Sequence, residues 1–292
     1  HAFSVPNLWS DADGRYRGMD QKIYQDVEHP HYTVFSLWDT YRTAHPLYLL
    51  TQPERAMDFI ETMLDHYDQS GRLPIWELAA NETNCMIGYH SVSVIADAIA
   101  KGFPVDVDRA LTAMIGTAES DVFGLPTYRE QGYLSLQDES ESVSKTLEYA
   151  YDDWCLAQTA KQLGKTEAYA KYLKRAQFYK NLYDPSTGFM RPKLNGSWRS
   201  PFDPREVDFN YTEANSWQYS FSKPEIDQLK RDIAAGNTKS ELVRDLVMFD
   251  LFRLQPINAA AQTAFGLANP NARLFYMLKG FAIKQFDLME RR

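Results

Sequence analysis

A chain of 292 residues with a formal net charge of -8 and 44% hydrophobic residues can hold one large domain or two smaller ones around a sizeable core. The acidic balance and the absence of any basic tract argue against nucleic acid as a partner. No apolar run approaches the roughly 18 residues that a membrane-spanning helix needs.

The predicted elements, in chain order, are helices in pairs. Pro53 to Tyr67 carries Ala56, Met57, Phe59, Ile60, Met63 and Leu64 at the spacing of one helix face, and Gly71 and Pro74 end it. Gly88 to Ala100 is apolar almost all round, the pattern of an inner, buried helix. Val107 to Ala118 follows as its partner. Ser142 to Leu163 reads as a long helix with Lys161 in its last turn and Gly164 beyond it. Thr166 is placed to N-cap a helix reaching Leu182, and Asp184-Pro185-Ser186-Thr187-Gly188 forms a turn.

The two cysteines, Cys85 and Cys155, fall in apolar helical contexts where a free thiol packs as a small hydrophobe. A disulfide between them stays open, and no spacing suggests zinc. Charge changes sign along the chain: residues 1–221 carry a net of -11 and residues 222–292 a net of +3. The second segment reads as a helical tail, with helices at 225–234, 238–254 and 271–290 broken by Gly236, Pro256 and Asn269-Pro270.

Three stretches are dense in carboxylates, amides and aromatics. They are Ser36-Leu37-Trp38-Asp39-Thr40-Tyr41-Arg42, Asn81-Glu82-Thr83-Asn84-Cys85-Met86-Ile87-Gly88-Tyr89-His90, and Ser142 to Trp154. Such mixtures suit a polar pocket that grips a hydroxylated ligand. Together with Asp11 to Asp20, Arg175 to Asn181, Asp184 to Arg191 and Tyr211 to Tyr219, they resemble glycoside hydrolase family 92, the calcium-dependent inverting α-mannosidases of bacteria. The resemblance covers about residues 3–221. It implies an all-α catalytic domain of (α/α)6 toroid type, incomplete over residues 1–221, followed by the tail at 222–292. It also implies exo-acting release of terminal mannose from a mannose-containing oligosaccharide, and a periplasmic or extracellular location. The chain shows no leader, so it reads as a mature form or a fragment.

An inverting glycosidase flanks the scissile bond with two carboxyl groups about 6.5–9.5 Å apart, one protonated and one ionised. The resemblance implies Glu82 as the acid. The alternative for Glu82 is a helix-entry carboxylate complementing the dipole of the following helix. The base is taken as Asp203, in Pro201-Phe202-Asp203-Pro204, with Asp208 as the backup. Trp38 and Asp39 look like sugar-gripping residues, with Arg42 holding Asp39; the alternative is an inter-helix ion pair under a buried tryptophan. Glu141 and Glu213 are further substrate-binding candidates. Calcium, which takes six to eight oxygen ligands, has Asn84, Glu141 and Asp203 as candidate ligands. Asp152 and Asp153 point about 100° apart on a helix and do not converge on one ion. His45 and His90 lack metal spacing and read as structural. A different class of function is a catalytically silent fragment of such an enzyme, at most a weak sugar binder.

Overall fold

The computed structural model describes residues 5–220 and, beyond them, positions 231, 232 and 235. The expected tail helices and the boundary at 221/222 fall outside the described residues, apart from Arg231 and Asp232, which are helical.

The architecture is all-α with short peripheral strand pairs. The helices are α1 (Leu37–Thr40), α2 (Ala44–Thr51), α3 (Pro53–Ser70), α4 (Ser91–Ala100), α5 (Val107–Ala118), α6 (Leu125–Gln131), α7 (Ser142–Gln162) and α8 (Thr166–Arg175). In α3, Pro53 opens the first turn, where its missing N–H costs nothing. Gly71 closes it at φ 79° by donating to the Tyr67 carbonyl. Asp106 caps α5, its carboxylate accepting from Arg109 N at 3.1 Å.

The α8 start differs from expectation. Lys165 stands at the cap and no side chain bonds there. Lys165 N donates instead to the Ala160 carbonyl at 2.8 Å, so the end of α7 supplies the acceptor. The helix also ends at Arg175, and Phe178–Leu182 continues as a separate 3-10 turn.

Burial sorts the helices into two layers. Most of α4 and α7 is buried, whereas α3, α5 and α8 each keep a solvent face. The two buried helices pack on each other, and α7 packs against α8. The outer pair α3 and α5 also meet. At that crossing Gly116 makes room for Tyr67: a Cβ there would lie 2.1 Å from the Tyr67 hydroxyl, so a larger residue would oblige that ring to move. The main core gathers Phe35, Phe59, Met63, Leu64, Ile95 and Leu156. A smaller core joins Val143 at the start of α7 to Leu182, Met190, Tyr211 and Tyr219.

Two core histidines make the fold acid-sensitive. Burial pushes the imidazoles of His45 and His66 down to about 3, well below the ordinary histidine value of about 6.5. His66 Nε2 also sits 3.3 Å from His31 Nε2, a contact that admits one proton between the rings. With the folded pKa depressed, the unfolded chain binds the extra proton. The stabilising contribution is complete above about pH 6.5 and is lost progressively as pH falls toward 3, by about 1.4 kcal/mol per pH unit for each histidine. We expect His45→Phe to gain stability relative to the parent chain by that slope as pH drops from 6.5 to 4. Parallel denaturant melts of the two proteins check this; a constant difference across that range rejects it.

Candidate active site

The second dense stretch is not helical until Ser91. Gly88, at φ 80°, turns the chain, and a Cβ on it would meet the His90 ring at 2.4 Å. The preceding loop is therefore free to lie beside the first dense stretch. A short antiparallel ladder pairs Phe35 with Glu77 and Ser36 with Trp76, and Glu77 in turn bridges to Glu82. Glu82 folds back on this ladder. Its Oε2 accepts from Ile75 N at 2.7 Å, and its Oε1 from Trp76 N and Asn84 N, both at 2.9 Å. These partners are loop amides and not the N-terminus of α4, so the helix-dipole reading is not what the fold uses. Cys85 lies exposed in the same loop, contrary to the expected core thiol, because the residues around it are not helix; Cys155 is buried, and both are free.

The Trp38 cluster departs from expectation. Trp38 is only 3% exposed, and its indole Nε1 is a buried donor without a partner. Arg42 reaches Glu148 Oε1 at 3.2 Å and the Trp38 carbonyl at 3.0 Å, while Asp39 accepts from the Ser36 hydroxyl. Arg42, in the turn after α1, thus pairs with Glu148 of α7, and its guanidinium lies 5.8 Å from the centre of the buried Trp38 ring. Behind it, His90 Nδ1 meets Asp152 Oδ1 at 2.8 Å and His90 stacks on Tyr41 at 4.1 Å. Asp153 takes other partners: its carboxylate accepts from Tyr89 Oη at 2.8 Å, Tyr128 Oη at 2.9 Å and Arg175 Nε at 2.9 Å, while Tyr89 N donates to Asp152 at 2.7 Å and ties the two clusters together. The two neighbouring aspartates diverge, as helical geometry requires.

A cavity lined by Asn84, Cys85, Glu141, Lys145 and Tyr149 joins the Glu82 loop to the start of α7. Glu141 N donates to the Phe209 carbonyl at 2.6 Å, and Glu141 Oε1 accepts from the Thr212 hydroxyl at 2.7 Å. The 199–215 loop is thereby pinned against α7. Asp208, ion-paired with Arg199, precedes this junction and accepts from Asn210 N at 2.8 Å. Asp203 stands away from it, in an exposed ion pair with Arg205 at 2.8 Å, and that guanidinium lowers its carboxyl to about 2. Glu213 is exposed on the same loop. Among the described residues no hydrogen bond or ion pair links Glu82 to Asp203 or Asp208. Phe209, 90% exposed, and Trp217, 60% exposed, flank the loop. Sequence reasoning passed over both, since an aromatic in a loop carries no sign of which way it faces.

Backbone strain concentrates here. Of the nine non-glycine residues with positive φ among the described residues, seven lie along this rim: Val34, Ala79, Ala80, Asn84, Phe123, Glu141 and Glu213. Such conformations are sparsely populated and gather at functional sites. Glu77 was also missed. It is fully buried, and burial lifts its carboxyl from 4.5 to about 7. A motif with two glutamates five residues apart gives no hint which is buried.

The described residues do not assemble the expected calcium set. Asn84 and Glu141 share one cavity, but Asp203 is not among its lining residues and is held by Arg205. Asn84 and Glu141 would supply two of the six to eight oxygens that calcium takes, the others being open to main-chain carbonyls, water and substrate. No group of three or more acidic, histidine or cysteine side chains among the described residues could hold a metal.

The profile of the glycosyl hydrolase family 92 catalytic domain matches residues 1–246, and the chain belongs to that family. A family GH92 α-mannosidase from Bacteroides thetaiotaomicron, solved in complex with mannoimidazole, is 44% identical with a TM-score of 0.75 over 88% of this chain and 35% of that one. An inverting GH92 mannosidase from the same organism is 35% identical with a TM-score of 0.67, over 74% of this chain and 31% of that one. An uncharacterized secreted glycosidase of Arthroderma benhamiae is 28% identical over 189 residues, 54% of this chain and 24% of that protein. The all-α, (α/α)6-type fold expected from the sequence holds. The chain spans about a third of the length of the solved relatives.

Proposed function

We propose that this chain carries part of the catalytic apparatus of an α-mannoside hydrolase acting outside the cytoplasm on terminal mannose of an oligosaccharide. The observation that carries the reading is the rim itself. Residues from four separate stretches, around Ser36, Glu82, Glu141 and Asp208, are drawn together there, and most of the strained backbone lies along it. The relatives described as mannosidases, one of them holding mannoimidazole, supply the substrate class. The secreted fungal relative supports the location, and no helix among the described residues is long and apolar enough to cross a membrane.

Glu82 is the proton donor in this reading. Its Oε1 is taken up by two N–H groups, whereas Oε2 accepts only one and keeps a position for an O–H aimed at the leaving oxygen. Asp203 and Asp208 are the candidate bases. Asp208 is the better placed, because its loop is bonded to Glu141, while Asp203 is turned to solvent against Arg205. Asp39 and Glu213 are the candidate contacts to sugar hydroxyls, with Arg42 holding the carbonyl of the buried Trp38 behind them. Calcium enters only through the family resemblance, and no step depends on it.

The test is incubation of the full chain with α-linked mannobiose, followed by proton NMR of the product anomer. Early formation of β-mannose is the expected result for single displacement by water. Release of α-mannose first, or no release from a folded sample, overturns the reading.

A further inference from the structure

We propose that Glu77 is the positioning residue for Glu82: its buried carboxyl holds the 78–84 loop in its strained conformation and so fixes where the Glu82 carboxyl points. The proposal rests on the reading of Glu82 as proton donor.

The bonds run as follows through the loop. Glu77 Oε1 accepts from Ala80 N at 2.6 Å, and Oε2 accepts from Val34 N at 3.1 Å. The Thr33 hydroxyl lies 3.0 Å from both oxygens and accepts from Ala79 N at 2.6 Å. The carboxyl and this one hydroxyl thus take the N–H groups of Val34, Ala79 and Ala80, whose φ angles are 71°, 51° and 58°. Backbone in that region persists only where its surroundings over-determine it. The effect passes to Glu82 through main chain. Leu78 and Asn81 exchange hydrogen bonds at 2.8 and 3.0 Å, Thr83 N donates to the Trp76 carbonyl at 3.1 Å, and Glu77 bridges Glu82. The Glu82 carboxyl then has Ile75 N, Trp76 N and Asn84 N within reach only while this hairpin stays closed.

Chemistry demands a carboxyl at position 77. Each oxygen faces a backbone N–H, so glutamine in either flip sets its amide NH2 against a donor. A protonated glutamate still accepts on both oxygens. This matters because burial keeps the carboxyl titrating near 7.

The test uses the full chain labelled with 13C-glutamate, with the Glu82 13Cδ resonance assigned through Glu82→Gln, alongside turnover of 4-nitrophenyl α-mannoside. Glu77→Gln and Thr33→Val are expected to move the Glu82 resonance. They should lower kcat by about tenfold or more with KM within about threefold. Thr33→Ser, which keeps the hydroxyl, restores both. A folded Glu77→Gln or Thr33→Val chain with the parental Glu82 resonance overturns the proposal. Where these variants do not fold, hydrogen exchange in the parent chain decides: Ala80 N–H should exchange at least about 100-fold slower than an open peptide, and free exchange overturns the proposal. Absence of turnover by the parent chain counts against the mannosidase reading instead, and the resonance and exchange measurements then judge Glu77 alone.

Discussion

Asp153→Ala is expected to remove about 3–5 kcal/mol of stability, the range found when one member of a buried ion pair is deleted. Asp153 is fully buried at the centre of α7 and satisfies two tyrosine hydroxyls and the Arg175 guanidinium. Burial raises its carboxyl to about 6 even beside Arg175, so near neutral pH it is ionised and Arg175 is its counter-ion. Without it, a 4% exposed arginine keeps, among the described residues, only Glu119, at 2.6 Å, as a charged partner. Domains of this kind hold about 5–15 kcal/mol in total, so the loss is a large share. Denaturant melts of the variant and parent give the number directly. A loss below about 1 kcal/mol would show that Glu119 and water take over the charge, and the α7–α8 network would then be incidental to stability.

The second large effect is on catalysis. Glu82→Gln is expected to lower the rate of α-mannoside hydrolysis by about 10²–10⁴-fold, the usual contribution of a positioned acid. The same substitution sets an NH2 against the Ile75 or the Asn84 and Trp76 amides, so a modest fall in melting temperature accompanies it. The two effects are separable with an activated substrate. A 2,4-dinitrophenyl leaving group needs little protonation, so Glu82→Gln should recover much of its rate on that substrate if Glu82 is the acid. Equal loss on both substrates would reassign Glu82 to binding or to loop structure. A variant as fast as the parent on the unactivated substrate would remove Glu82 from the mechanism.

Much of the fold was legible from periodicity because each outer helix must bury one stripe. α5 was read at Val107–Ala118 and found there, and α3 was read from its stripe of Ala56, Phe59, Ile60, Met63 and Leu64. The inner position of α4 followed from a helix apolar nearly all round. The start of α8 was not legible, since its acceptor comes from the carbonyl of Ala160, and a main-chain acceptor leaves no residue signature. Cys85 was misplaced for a related reason: the apolar residues after it suggested helix, while Gly88 with its left-handed φ delays the helix to Ser91.

The sequence by itself determined five of the eight helices of the 1–220 part, α3, α4, α5, α7 and α8, and the stretches that form the rim, because these depend on local spacing and residue chemistry; the short α1, α2 and α6 carry too few turns to show a period. Only the tertiary structure decided which partner each charged side chain takes. Among the described residues Arg42 pairs with Glu148, more than a hundred positions away, and not with Asp39 three positions away, because the turn after α1 is brought beside α7. Glu77 is buried and Glu82 is left at the rim because a two-residue ladder with Phe35 and Ser36 sets which way each carboxyl faces. Pairing between segments distant in sequence fixes burial, burial fixes protonation, and neither is written in the local pattern.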